Sequence, residues 1–299
     1  MAIPINEKKL IEIFLFCDDF DNSYELWLRQ RSLGESSTRT RVPAISDSEV
    51  LTLLIFYHWS GYKNFQYFYE RFALVYLTSY FPDMPSYSRF VELIPRQAMK
   101  MYMLLKVQSL MGQRTGTYFI DSKKLPVCHN RRIHSNKVFS EFSARGKSST
   151  GWYYGLKIHL IINQLGEIVN FELTPANVSD NNAELLQKIF DGLKGTCYGD
   201  KGYLSKPFDY FYQNGLKIVT KIRSNMKNVF MQFDEKINLK KRAIIESVNA
   251  ILMSVFEIRT HQTPKPCQRN CAYFWGVSSL WILRIKTNRI YQKLIPHSR

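Results

Sequence analysis

The apolar and polar positions of this chain change their period near residue 112. Before it the pattern predicts helices. Ser46 and Glu49 stand three apart ahead of Val50, Leu51, Leu53, Leu54 and Tyr57, a capping box followed by one buried helix face. Aromatic-rich Phe65 to Phe72 predicts a second helix after the Ser60-Gly61 break. Pro85-Ser86 opens a third, carrying Phe90, Leu93 and Ile94, and Pro95 kinks or restarts it before Met99 to Met111. Short helices on short connections are compatible with a helix-turn-helix-like module, or with a helical domain that only supports its neighbour.

After Gly112 the pattern becomes that of strands. Thr117-Tyr118-Phe119-Ile120 is β-branched and aromatic and is expected to end at Asp121. From Trp152 to Ile162 the chain alternates, with Tyr154, Leu156, Ile158, Leu160 and Ile162 on one face and Lys157 and His159 on the other. The turn Gln164-Leu165-Gly166-Glu167 should fold this strand back onto Ile168 to Leu173. There follow a helix over Asn181 to Leu193, a strand over Thr196 to Asp200, a helix over Pro207 to Asn214, a strand over Lys217 to Ile222 and a long helix over roughly Leu239 to Glu257.

Three strands, helix, strand, helix, strand, helix is the order of a ribonuclease-H-like fold, a mixed five-stranded sheet flanked by helices. The expected organisation is an all-helical N-terminal domain over 1–112 and an α/β domain over 113–299 with a C-terminal helical extension.

Charge sharpens this division. The chain holds 41 Lys and Arg against 25 Asp and Glu, a net charge of +16. Residues 1–112 balance at 12 against 12, while residues 113–299 carry 29 against 13, so the whole excess lies in the second part. A basic domain of this kind points to a polyanionic partner, most simply nucleic acid. No run of about 20 apolar residues is present, and Glu7, Lys8, Lys9 and Glu12 interrupt the N-terminus, so a cytoplasmic protein without a membrane span is expected. The five cysteines form no obvious disulfide framework. Cys267 and Cys271 with His261 lack the second ligand pair that a zinc site needs, and reduced thiols are expected.

The candidate chemistry is carried by acids. Asp121 and Asp200 each close a short, buried-looking strand, the place where ligand-binding side chains converge in an α/β sheet. In the last helix Ile244, Ile245, Val248, Ile251, Leu252, Val255 and Phe256 form one apolar stripe, and Arg242, Glu246, Asn249, Met253 and Glu257 fall opposite it. The stripe docks on the sheet, and Glu246 looks into a cleft, with Arg242 one turn earlier to steady it or a phosphate. Three carboxylates supply hard oxygen ligands for Mg²⁺ or Mn²⁺, two ions being the expected number.

The ordered stretches Ile120-Asp121-Ser122, Pro126-Val127-Cys128-His129-Asn130, Gly151-Trp152-Tyr153-Tyr154-Gly155-Leu156-Lys157-Ile158-His159-Leu160, Gly199-Asp200-Lys201-Gly202-Tyr203 and Lys241-Arg242-Ala243-Ile244-Ile245-Glu246 resemble the DDE transposases of the insertion sequence 982 family. Pro85-Ser86-Tyr87-Ser88-Arg89-Phe90 is similar to the N-terminal region of that family. The resemblance implies Asp121, Asp200 and Glu246 as the catalytic and metal-holding triad. It implies cleavage at the element's terminal inverted repeats and joining to target DNA, by a homo-oligomer on DNA. Two positions depart from the Tyr-x2-Arg-x3-Glu-x6-Lys pattern of related transposases: Leu239 stands in place of Tyr and Met253 in place of Lys. A copy decayed to a DNA-binding protein, or a nuclease of the same fold, are the alternative readings.

Between the first acid and the long strand lies a basic stretch of Lys123, Lys124, Arg131, Arg132, Lys137, Arg145, Lys147 and Lys157 against the single acid Glu141. It is expected to be a flexible loop gripping DNA backbone, with Lys201 and Arg242 adding charge at the acids. His159 either assists near the metals or fills a polar gap, and Asp180 either supports the site from behind the acids or, the favoured reading, caps the following helix.

Overall fold

A computed structural model of the protein describes residues 7–31, 44–135, 142–148, 151–203, 208–220 and 233–254. Lys137, Cys267, Cys271, His261 and the expected C-terminal extension lie outside the described residues, as do the side chains of Ile251, Leu252 and Met253. The chain separates into two compact units, with the change from one to the other after Leu104.

The first unit is helical. α1 (Glu7–Arg31), α2 (Asp47–Ser60), α3 (Phe65–Phe68), α4 (Leu74–Tyr76) and α5 (Tyr87–Leu93) lead into α6 (Ala98–Met111), and a π-helical segment, Tyr69–Ala73, joins α3 to α4. The Ser46 capping box forms as its sequence predicts: Ser46 Oγ accepts from Glu49 N at 3.1 Å, and Glu49 Oε2 accepts from Ser46 N at 2.7 Å. Gly61 ends α2 in the left-handed region, φ +82°, which only glycine adopts without strain. Phe56, Phe68, Tyr69, Phe72 and Phe90 are buried and make tilted and stacked ring contacts, Phe56, Phe68 and Phe72 among themselves and Tyr69 with Phe90.

Under these helices one cation organises three acids. Lys100 Nζ lies 2.6 Å from Asp21, 2.8 Å from Glu25 and 2.7 Å from Asp47, and Gln97 donates a further hydrogen bond to Asp47. An ammonium this buried is held charged by its partners, and its pKa lies above the ordinary lysine range.

The second unit carries a six-stranded mixed sheet: β1 (Thr117–Cys128), β2 (Ala144–Ser148), β3 (Gly151–Asn163), β4 (Ile168–Pro175), β5 (Gly195–Gly199) and β6 (Leu216–Thr220). The order is β2-β3-β1-β5-β6, with β4 also on β3. β2 and β4 lie end to end along one edge of β3, pairing Gly151–Gly155 and Leu156–Ile162 respectively. β1 is antiparallel to β3 and parallel to β5, and β5 is parallel to β6. The helices are α7 (Ala183–Phe190), α8 (Phe208–Gln213), α9 (Phe233–Lys241) and α10 (Ala243–Ser254).

The sheet separates two apolar layers by strict alternation. Tyr118, Ile120, Ile161 and Cys197 pack on one face with Leu186, Ile189, Phe190, Tyr203 and Phe211. Phe119, Leu160, Ile162 and Tyr198 point to the other, which is the face of Asp121. The β3–β4 hairpin closes as predicted, with Gly166 at φ +78° and Asn163 Oδ1 accepting from Leu165 N and Glu167 N at 2.9 Å each.

Four expectations are corrected here. The sheet has six strands, because Ala144–Ser148 of the expected basic loop pairs with β3 as a strand. Gly146 permits it, since a Cβ there would stand 2.2 Å from the Ala176 carbonyl oxygen. β1 does not end at Asp121 but runs on to Cys128, the Ser122–Lys124 segment being carried by backbone pairing to Lys157–His159. The expected long helix is two, α9 and α10, separated at Arg242. Asp180 does not cap α7; Asn182 does, its side chain accepting from Leu185 N at 3.0 Å.

Candidate active site

The parallel pairing of β1 with β5 sets Thr117 against Thr196, Tyr118 against Cys197 and Phe119 against Tyr198. The last pair is Phe119 with Tyr198, so Asp121 and Asp200 each follow it by two residues, just past the end of the parallel pairing. β5 stops at Gly199, so the two acids sit where the paired backbone opens. Helix α10 supplies the third acid from its first turn.

Two side chains of the last helical segment tie these acids together. Arg242, at the α9–α10 break, donates to Asp200 Oδ1 at 3.2 Å and to Glu246 Oε1 at 3.3 Å. Its own side chain is only 13% exposed, whereas those of Asp200 and Glu246 are 55% and 60% exposed. Asn249, fully buried one turn after Glu246, donates from Nδ2 to Asp121 Oδ2 at 2.8 Å. Burial holds the Asp121 carboxyl above the usual carboxylate range. The Ser122 backbone N–H, Lys123, Arg242 and Asn249 draw it back toward ionisation.

The structure thus connects Asp121, Asp200 and Glu246 through Arg242 and Asn249, but it does not close their carboxylates to within 4.8 Å of one another. Among the described residues the one trio of acids that close is Asp21, Glu25 and Asp47, and its cation is the Lys100 ammonium.

The basic residues divide by face and by commitment. Lys123 shares the Asp121 face, two residues on; Lys124 and Lys157 point to the opposite face. Lys157 Nζ is held within the protein by Val178 O at 2.7 Å and Asp180 Oδ1 at 2.9 Å, so it supports the fold at this point. Arg131 and Arg132 project from an exposed 3-10 turn, Arg145 and Lys147 from β2, and Lys201 from the turn after Asp200.

His159 is fully buried on the face opposite Asp121, between Thr174 Oγ1 at 3.0 Å and Tyr203 Oη at 3.5 Å. It fills the polar gap. Asp180 accepts from Ser122 Oγ at 3.1 Å and would lie 3.3 Å from a Cβ at Gly202. The Asp180 carboxylate therefore packs against the turn that follows Asp200. This is the supporting role that the sequence offered for Asp180 beside the cap; what the sequence reading missed is Asn249 as a partner of Asp121. For Asn249 the signal was present, since the helix period puts it on the face of Glu246.

A family model for the transposase DDE domain matches residues 111–263, just over half of the chain. The chain belongs to the DDE transposase family. It is accordingly a transposase, a polynucleotidyl transferase of mobile DNA elements, and such enzymes use divalent metals. Among solved structures this DDE transposase is similar to the "Crystal structure of the Mos1 Strand Transfer Complex", at 10% identity over 99% of this chain and 100% of that chain. The TM-score is 0.23, a value at which two whole chains do not superpose as one fold. No curated protein matches the chain. Among the described residues of this transposase, no helix is long and apolar enough to cross a membrane.

Proposed function

We propose that this DDE transposase has a ribonuclease-H-like catalytic domain over 113–299 in which Asp121, Asp200 and Glu246 hold Mg²⁺ or Mn²⁺. In this reading it cleaves at the ends of an insertion sequence of the 982 family and joins them to target DNA. One observation carries the reading: the last helical segment reaches all three acids, Arg242 bonding Asp200 and Glu246 while Asn249 of α10 bonds Asp121. The strand order β4-β3-β1-β5-β6, antiparallel on one side of β1 and parallel on the other, supports the fold assignment.

The donor set fits a hard divalent cation. All three side chains offer carboxylate oxygens, and Asn249 Oδ1, beside Asp121, is buried without a hydrogen-bond partner among the described residues. Bound there, two such ions supply charge stabilisation to the attacking and departing oxygens of a phosphodiester.

The chain's own residues do the rest. Asn249 fixes the rotamer of Asp121, and the Asp180–Gly202 contact fixes the turn carrying Asp200. Arg242 balances the charge of Asp200 and Glu246 when no cation is bound. Lys123, Lys201, Arg131 and Arg132 supply salt-sensitive affinity for DNA backbone. The helical domain over 1–112 recognises the terminal repeats, and two ends are held by an oligomer of the chain.

The test is cleavage of a supercoiled plasmid carrying the element's ends, with Mg²⁺ or Mn²⁺, by wild type and by Asp200→Asn. Nicking that needs metal and is lost in the variant is expected. Nicking that survives in the variant would remove Asp200 from the site. Joining of labelled end DNA to a target plasmid separates a transposase from a nuclease that only cuts.

A further inference from the structure

The hairpin of β2 and β3 carries a feature that the triad does not use. Trp152 is 53% exposed on the strand next to the sheet edge. Lys147 is its direct cross-strand partner and Arg145 its diagonal neighbour, because Lys147 pairs with Trp152 and Arg145 with Tyr154. The Arg145 guanidinium carbon lies 5.1 Å from the indole centroid and Lys147 Nζ 5.9 Å from it. Among the described residues neither cation forms an ion pair with a carboxylate. Asn130 holds the Trp152 backbone in place by donating to its carbonyl at 2.8 Å, and it begins the turn bearing Arg131 and Arg132.

Alternation places this group relative to the acids. Along β3, Trp152, Tyr154, Leu156, Ile158 and Leu160 share one face, and Asp121 is the register partner of Leu160. Lys123 faces Ile158 on that same side. Trp152 and Asp121 therefore lie on one sheet face, eight residues apart along the strand, or roughly 26 Å at about 3.3 Å per residue. That spans roughly eight nucleotides of a B-form strand. Lys123 lies between them.

A cationic pair alone would serve the phosphates of duplex DNA. An exposed indole with two cations over its ring serves something more specific, because a base can join such a stack only when it is not itself stacked in a helix. We propose that Trp152, with Arg145 and Lys147, is a stacking site for an unpaired base of the DNA strand that runs along the Asp121 face. The site selects DNA that is single-stranded or splayed several nucleotides from the reacting phosphate. The inference rests on the proposed placement of DNA at Asp121 and Asp200.

The test is binding of the full-length protein to a fluorescein-labelled 15-nucleotide oligo-dT and to a duplex of equal length, by anisotropy at fixed salt. Trp152→Ala is expected to weaken oligo-dT binding about 5- to 100-fold, the range for loss of one stacked base. It should change duplex binding less than about 2-fold. Trp152→Phe, which keeps an aromatic face, should retain most of the oligo-dT affinity, and an unchanged melting temperature shows that the hairpin is intact. Arg145→Ala should weaken both probes and flatten the salt dependence of each.

Equal loss on both probes, or loss on neither, overturns the stacking site. If wild type nicks plasmid with metal while Trp152→Ala binds oligo-dT normally, the stacking site fails and the transposase site stands. If nicking is absent but Trp152-dependent binding of oligo-dT is present, the catalytic reading fails and the stacking site stands.

Discussion

Asn249 Nδ2 donates to Asp121 Oδ2 across 2.8 Å, while the other end of the same amide, Oδ1, is buried with no hydrogen-bond partner among the described residues. One side chain thus joins α10 to β1 and leaves an oxygen unspent beside a candidate metal ligand. Asn249→Leu removes both groups at similar volume. It strips Asp121 of the amide that draws its raised pKa back down, so the carboxyl should titrate higher still. The expected result is a loss of Mn²⁺ affinity of at least about tenfold by calorimetry, with stability lowered by about 1–3 kcal/mol, the cost of an unsatisfied buried acceptor. Unchanged Mn²⁺ affinity would reduce Asn249 to a packing residue.

Arg242 poses the opposite case. Its guanidinium bridges Asp200 and Glu246, two carboxylates that a metal ion also needs. Both acids are more than half exposed, so each ion pair is worth only about 0.2–1 kcal/mol. Arg242→Gln is therefore expected to raise Mn²⁺ affinity by about 2- to 5-fold while lowering the melting temperature of the metal-free protein slightly. A large fall in metal affinity would show that Arg242 assembles the acids and does not compete for them.

His159 makes a pH-dependent contribution to the second unit. Burial lowers its pKa from 6.5 to about 4, Asp180 opposing and Lys157 reinforcing the shift. The neighbouring polar groups are Tyr203, Thr174, Ser122 and Asp180. Because the folded pKa is the lower one, the unfolded chain binds the proton first. Stability is then full above pH 6.5 and is lost as pH falls through the window to about 4. The loss amounts to about 3 kcal/mol at most. Urea unfolding at pH 7 and pH 4.5 should show a smaller acid loss in His159→Gln than in wild type. His58, in the first unit, is also lowered, to about 3, and contributes in the same direction, so the difference between the two proteins is the quantity to read. Equal losses would mean that His159 protonates in the folded state without cost.

How much of this was legible in the sequence depends on whether the signal was local. β3 announced itself by alternation through Leu156, Ile158 and Leu160, and the capping box at Ser46 and Glu49 fixed the start of α2. Of the two acids expected at strand ends, Asp200 does follow the end of β5, Asp121 lies inside β1, and Glu246 lies on a helix as expected. The second half of β1 was not, because Ser122, Lys123 and Lys124 offer no apolar period. That segment is a strand only through its backbone bonds to β3, where Lys157 and His159 give it polar company. β2 was read as a loop for the same reason: Arg145-Gly146-Lys147-Ser148 has no β-branched residue, and its pairing is settled by Gly146 fitting under Ala176. Asp180 lost the capping role to Asn182 because four polar residues in a row, Ser179 to Asn182, precede α7, and only the position of Lys157 and Ser122 chooses among them.

The trio around Lys100 yields the sharpest stability prediction. Asp21, Glu25 and Asp47 share a single ammonium at 2.6–2.8 Å, and burial already raises the Asp21 carboxyl above its ordinary pKa. Lys100→Met keeps the side chain's length and apolar stem but leaves three carboxylates facing one another. Breaking a fully buried pair costs about 3–5 kcal/mol, and the partial exposure of Glu25 places this case near the lower end, at about 3 kcal/mol at pH 7. The sign of its pH dependence follows from the acids. In wild type the ammonium offsets the repulsion of three crowded carboxylates; without it the folded variant relieves that repulsion by binding protons that the unfolded state has released. The penalty in Lys100→Met should therefore be largest above pH 7 and shrink as the pH is lowered toward 4.5. A variant that loses equal stability at both pH values has lost packing, and the charge balance of the cluster is then not what holds α1, α2 and α6 together.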